Sequence, residues 1–168
     1  MKMDQPLPTL ERLWMGTMNK KMICLAVCLM LPVSAFADIK PLVAGHNTCC
    51  AAAGAQQLTG IPDQEGERYT YHISDAVDVI FTDNGERSSF SCICMDEAGI
   101  GEFLAQCVTG FYNFGGLLAY SYCHDALLTD FLAARAGRNP DIDTSVSGLM
   151  FQVSKESFGY LFMLTKVN

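Results

Sequence analysis

The sequence predicts an α+β domain: an antiparallel sheet of hairpins with a helical hairpin packed on one face, disulfide-stabilised. Three observations predict it. Two alternating runs flank Asn84-Gly85, a helix-period stretch from Ala98 is interrupted at Gly115-Gly116, and two apolar runs near the C-terminus flank Lys155-Glu156.

The chain is expected to carry a secretory signal peptide ahead of this domain. From Met18 it reads "MNKK", then the apolar "MICLAVCLMLPVSAFA", then "DIKP". A basic start, an apolar core and small Ala35 and Ala37 around Phe36 form a cleavage pattern. Pro32 and the short apolar run argue against a spanning helix, which needs about 20 residues. Val27 stands before Cys28 where a lipid-anchored precursor wants a small residue, so free release follows. The expected layout is a doubtful upstream extension 1–17, a signal peptide 18–37 and a single mature domain 38–168, periplasmic or secreted after cleavage between Ala37 and Asp38.

The mature part holds seven Lys and Arg against sixteen Asp and Glu, a balance of 7 − 16 = −9. Nucleic acid and anionic membrane both select Lys/Arg stripes, so neither is an expected partner, and no stable membrane insertion is expected once the signal is removed. Six cysteines remain after cleavage: Cys49, Cys50, Cys92, Cys94, Cys107 and Cys123. In an exported chain of this size an even number reads first as disulfide bonds.

Residues 50–58, rich in Ala and Gln, fit a short helix ended by Gly60 and Pro62. The polar "GIPDQEGER" reads as an acidic loop. Then "YTYHISDAVDVIFTDNGERSSFSCIC" holds the strongest local signal, because Asn-Gly favours a two-residue hairpin turn. That turn sets Phe81 opposite Ser88, Val79 opposite Phe90, Val77 opposite Cys92 and Asp75 opposite Cys94, with Val77, Val79, Phe81, Phe90, Cys92 and Cys94 inward on one face. Tyr69, Tyr71 and Ile73 alternate as a third strand.

Phe103, Leu104, Cys107, Val108 and Phe111 follow at helical spacing, and Leu127, Leu128, Phe131 and Leu132 do so farther on. Gly115-Gly116 reads as the turn between two helices. A single helix would hold Cys107 and Cys123 about 24 Å apart, whereas a hairpin brings them together. Gly137 and Pro140 stop the second helix. At the C-terminus strands are favoured over a helix for 146–164, with Val153 opposite Phe158, Phe151 opposite Tyr160 and Leu149 opposite Phe162. Phe158 to Leu164 is apolar on both faces, which suits a central strand.

Chemistry is sparse. Cys92 and Cys94 with Cys49, Cys50 or His46 could ligate zinc, but zinc thiolates favour wider pair spacing, so no metal and no cofactor is expected. Adjacent Cys123, His124 and Asp125 point about 100° apart on a helix and do not converge as a triad. Asp96, Glu97 and Glu102 have no visible opposing carboxylate and suit a helix start. No catalytic residue is assigned. The expected staples join Cys49 and Cys50 to Cys92 and Cys94, in either order, and Cys107 to Cys123.

Size, export, acidity and cysteines are similar, in class only, to those of periplasmic inhibitors and immunity proteins. The expected function is therefore protein capture and neutralisation, directed at a cell-wall hydrolase or toxin, with a basic partner favoured by charge. A small periplasmic hydrolase and a structural subunit of an envelope complex are the rivals, and a homodimer is compatible with the apolar C-terminal hairpin. Candidate partner-binding residues are Asp63, Glu65 and Glu67 in the acidic loop, Asp83, Asn84 and Glu86 at the hairpin tip, and Asn139, Asp141 and Asp143.

Overall fold

A computed structural model describes residues 39–83, 87–138, 140, 143–144 and 148–166, and for 117–123 and 143–144 it describes the backbone alone. The extension 1–17 and signal 18–37 lie outside the described residues, as do Asn84, Glu86, Asn139 and Asp141.

Helix α1 (Ile39–Ala53) begins well before the helix expected at 50–58 and ends inside it. Its buried residues Leu42, Gly45, His46, Cys49 and Cys50 recur at the 3–4 spacing of a single helix face. Pro41 sits in the first turn, where a proline forfeits no intrahelical bond. Asn47 then folds the following loop back on the helix: its amide donates to Leu58 O at 2.9 Å and its Oδ1 accepts from Leu58 N at 2.7 Å.

Strands β1 (Asp63–Glu65), β2 (Arg68–Ser74), β3 (Val77–Asp83) and β4 (Ser88–Cys94) form an antiparallel meander. The third strand expected at Tyr69, Tyr71 and Ile73 is β2. The β3–β4 register differs from the expected one by two residues: Asp83 pairs Ser88, Phe81 pairs Phe90, Val79 pairs Cys92 and Val77 pairs Cys94. The connection is therefore four residues, 84–87, rather than two. A shift of two preserves the face of every side chain, so Val77, Val79, Phe81, Phe90, Cys92 and Cys94 are all buried as expected. What the shift gains is a cross-strand aromatic pair, with the Phe81 and Phe90 rings 5.4 Å apart.

A 3-10 turn, Glu97–Gly99, capped by Asp96 Oδ1 accepting from Ala98 N at 2.8 Å, leads into α2 (Ile100–Arg135). Gly116 breaks α2 with φ 67° and ψ −165°, backbone that a residue with Cβ rarely adopts. The two arms, 100–115 and 117–135, fold back on each other. The Phe103 and Phe131 rings meet at 6.1 Å and Arg135 reaches Glu97 at 2.9 Å. One unbroken helix would part Phe103 and Phe131 by about 42 Å. The helical hairpin expected at Gly115-Gly116 is present.

After β5 (Asp143–Thr144), strands β6 (Leu149–Glu156) and β7 (Gly159–Lys166) form the C-terminal hairpin. Its register also differs from the expected one: Val153 pairs Phe162, Phe151 pairs Leu164 and Leu149 pairs Lys166. The turn lies at Ser157-Phe158 and leaves Phe158 half exposed. Gly159 explains this placement. A Cβ there would stand 2.0 Å from Cys94 O, so only glycine lets β7 enter the sheet beside the end of β4.

The strand order is β1-β2-β3-β4-β7-β6-β5, with every neighbouring pair antiparallel and β7 central as expected. Both helices cover the same face, which carries Phe81, Phe90, Phe151, Phe162 and Leu164 in the core. Phe111 of α2 seals it, 5.0 Å from the Phe151 ring and 5.4 Å from Phe162. The opposite face is left uncovered by any helix among the described residues.

Candidate functional site

The uncovered face ends, on one side, in an acidic margin. Strand β1 is the outermost strand and Asp63, Gln64 and Glu65 are all exposed. Its pairing sets Asp63 opposite Thr70 and Glu65 opposite Arg68, so both carboxylates share the open face with His72. Glu67 lies in the turn that follows, and its carbonyl accepts from Asp83 N at 3.4 Å. The structure thus keeps the first candidate group, Asp63, Glu65 and Glu67, together; Asp83 of the second touches Glu67 through its backbone alone, because it shares the parity of buried Phe81 and its Oδ2 is buried. Asp143 does not join them. It lies in β5, the last strand on the other side, roughly 29 Å away across six strand spacings.

His72 was not singled out by its sequence context, yet it organises this margin. Its Nδ1 lies 2.7 Å from Asp78 Oδ1 and its Nε2 lies 3.0 Å from Asp63 Oδ2. Two carboxylate oxygens can only accept, so the protonated ring, with a hydrogen on each nitrogen, is the form that satisfies both contacts. The Asp63 hydrogen bond first, and that of Asp78 second, raise the His72 pKa above its ordinary value. A register shift between His72 and Ser74 is what sets His72 opposite Asp78 rather than Val79. That irregularity has no sequence signature.

The covered side holds the second polar group. His46, fully buried, donates from Nε2 to Gln106 Oε1 at 2.7 Å, and Gln106 Nε2 donates to Gln56 O and Glu102 Oε1, each at 2.7 Å. With Nε2 protonated, Nδ1 presents a buried lone pair with no partner. Burial lowers the His46 pKa to about 4 against the opposing effect of Gln106. The thiol of Cys50, beside Gln106 and Thr109, is pushed by burial to about 12. A neutral imidazole beside a neutral thiol is the reverse of the ion pair that cysteine nucleophiles use.

The expected disulfide scheme is not formed. Cys49, Cys50, Cys92, Cys94 and Cys107 are buried and none of them is in a disulfide. Helix α1 packs chiefly on α2, with far less contact to the sheet, so Cys50 meets Gln106 and Thr109 rather than β4. Burial first, and the neighbouring Cys92 thiol second, raise the Cys107 pKa well above its ordinary value, and the side chain of Cys123 lies outside the described residues. No group of three or more His, Cys, Asp or Glu is gathered for a metal among the described residues.

The remaining candidates for chemistry have structural work. His124 Nδ1 lies 3.3 Å from Asp125, whose side chain is almost wholly exposed, and the side chain of Cys123 lies outside the described residues. Asp96 is a cap, and Glu97 accepts from Tyr160 OH at 3.2 Å and Arg135 at 2.9 Å. Glu102 accepts from Gln56 N at 2.9 Å as well as from Gln106. Among the described residues no helix is long and apolar enough to cross a membrane. No family model, no curated protein and no solved structure matches this chain.

Proposed function

We propose that the chain is an exported binding protein, periplasmic or secreted, that captures and neutralises a basic partner such as a cell-wall hydrolase or toxin. The observation that carries this reading is the acidic margin of the sheet. Exposed Asp63, Glu65 and Glu67 stand on and beside the outermost strand. Such an edge offers a partner two things together: unpaired backbone groups for strand addition and a field that steers cations toward it.

The balance of −9 in the expected mature part extends that field over the domain. The buried His46–Gln106–Glu102 network favours capture over catalysis, since its imidazole is neutral, closed off from solvent and coupled to no activated nucleophile.

Affinity purification from an envelope extract tests the proposal. A stoichiometric basic partner, released by added salt and lost on Asp63→Asn/Glu65→Gln/Glu67→Gln substitution, is expected. A complex with undiminished affinity in the triple variant at all salt concentrations would refute the acidic-edge reading.

A further inference from the structure

The first arm of α2 runs unusually close to β4, and two glycines mark the track. A Cβ on Gly99 would lie 2.8 Å from Val77 Cγ2 and 3.3 Å from Cys94 Sγ. A Cβ on Gly110 would lie 2.7 Å from two carbons of the Phe90 ring. The arm therefore passes Cys94 at residue 99 and Phe90 at residue 110, running opposite to the strand. Between those points lie about 16 Å of helix and about 13 Å of strand. Residue 107, about 12 Å along, comes level with residues 91–92, and the inward-facing one of that pair is Cys92.

Cys107 belongs to the sheet-facing stripe Phe103, Cys107, Phe111 and Phe114, all buried. The interpolation from the two glycines agrees with the influence of the Cys92 thiol on that of Cys107, which, after burial, is the next cause that holds the Cys107 thiol protonated. Cys94 is committed elsewhere, its thiol donating to Asp96 O at 3.0 Å. Cys49 and Cys50 lie on α1.

We propose that Cys92 and Cys107 are the cross-linking pair of this domain, joined as a disulfide when the chain folds in an oxidising compartment. The two thiols lose two protons and two electrons to a disulfide donor, a protein or glutathione disulfide. One thiolate attacks the donor to give a mixed disulfide, and the second displaces the donor's remaining thiol, so that two donor thiols are released as one bond forms. Both sulfurs are sealed in the core, so the exchange occurs before the first arm of α2 closes over β4. The bond ties the helical hairpin to the middle of the sheet, a different staple from one that ties α1 to β4 or the two arms of α2 to each other.

The link is expected in vivo only if the chain is exported, so the test separates the two ideas. The full chain is refolded from the reduced, denatured state in a glutathione redox buffer. It is then cleaved under non-reducing conditions at Glu97 and Glu102, which separates Cys92 and Cys94 from Cys107. The expected product is a Cys92–Cys107 linked peptide, lighter by two hydrogens than the reduced pair, assigned by fragmentation and retained in Cys94→Ala. Reduction is expected to lower the urea midpoint of the wild type and to leave that of Cys107→Ala unchanged. A Cys107–Cys123 link, a link from Cys49 or Cys50 to β4, or free thiols throughout would overturn the assignment. Processing at Ala37, read separately on chain expressed with its leader, reports on export alone.

Discussion

His46 and His72 lie on opposite sides of one sheet, and their surroundings drive their protons in opposite directions. His46 sits on the covered side against the rings of Phe81 and Phe90, 5.3 and 5.2 Å away, and burial takes its pKa down to about 4. His72 sits on the open side between Asp78 and Asp63, and those carboxylates take its pKa up. Desolvation rules where helices cover the sheet, and charge rules where they do not. The covered side makes the fold, and the open side is left free to carry charge.

The largest blow to the covered side is removal of its floor. Phe90 is fully buried and contacts His46, Phe81, Phe114 and Phe162 at ring separations of 5.2 to 6.4 Å. Phe90→Ala is expected to cost about 3–5 kcal/mol, read from urea denaturation. The neighbouring Gly110, packed against the Phe90 ring, has no side chain with which to fill the cavity. A loss under about 1 kcal/mol would mean that His46 does not rest on an aromatic bed.

Acid is the next largest lever, and it acts through His46. The unfolded imidazole takes a proton near pH 6.5, the folded one only near 4. Between those values the unfolded state binds more protons, so stability is full above 6.5 and falls as pH drops toward 4. The difference, 6.5 − 4 = 2.5, at about 1.4 kcal/mol for each pH unit, amounts to about 3–4 kcal/mol. Denaturation series at successive pH values measure this slope, and His46→Leu is expected to flatten it. An equal slope in the variant would assign the acid sensitivity to other groups.

The covered side was also the more legible one, for a physical reason. Burial imposes periodicity, so Phe81, Phe90, Cys92 and Phe162 could be placed on their face from alternation alone. Their partners could not. Both hairpin registers were misjudged by an even number of residues, because alternation fixes parity while the pairing is decided by contacts between distant side chains such as Phe81 with Phe90. Gly116 could be read as a helix break because glycine states a backbone need locally. The backbone link from Asp83 to Glu67 and the bridge from Asp63 through His72 to Asp78 depend on strand order and one irregularity, neither of which composition encodes. The acidic loop was visible; what it stands beside was not.

On the open side the effects are smaller and reverse in sign. A raised His72 pKa means that its contribution to stability is present below pH 6.5 and is lost as pH rises through the folded value. The site is largely exposed, so the contribution is below about 1 kcal/mol. Asp78→Asn is expected to lower the His72 pKa in an NMR titration while hardly moving the urea midpoint. An unchanged His72 pKa would show that Asp78 does not hold the ring.

The smallest expected change in stability belongs to the triple substitution Asp63→Asn/Glu65→Gln/Glu67→Gln. These side chains are exposed and close no part of the core. Removing three negative charges beside Arg68 and His72 should shift stability by no more than about 0.5 kcal/mol. Asp63→Asn does remove one His72 acceptor, so the His72 pKa should fall toward its ordinary value even while the midpoint holds. The same variant is expected to lose the salt-sensitive capture that the wild type shows. Parallel losses of capture and stability would make β1 a structural strand whose acidity is incidental, and the contrast between a side that folds and a side that binds would fail there. Capture lost with the fold intact would place binding on the open margin alone.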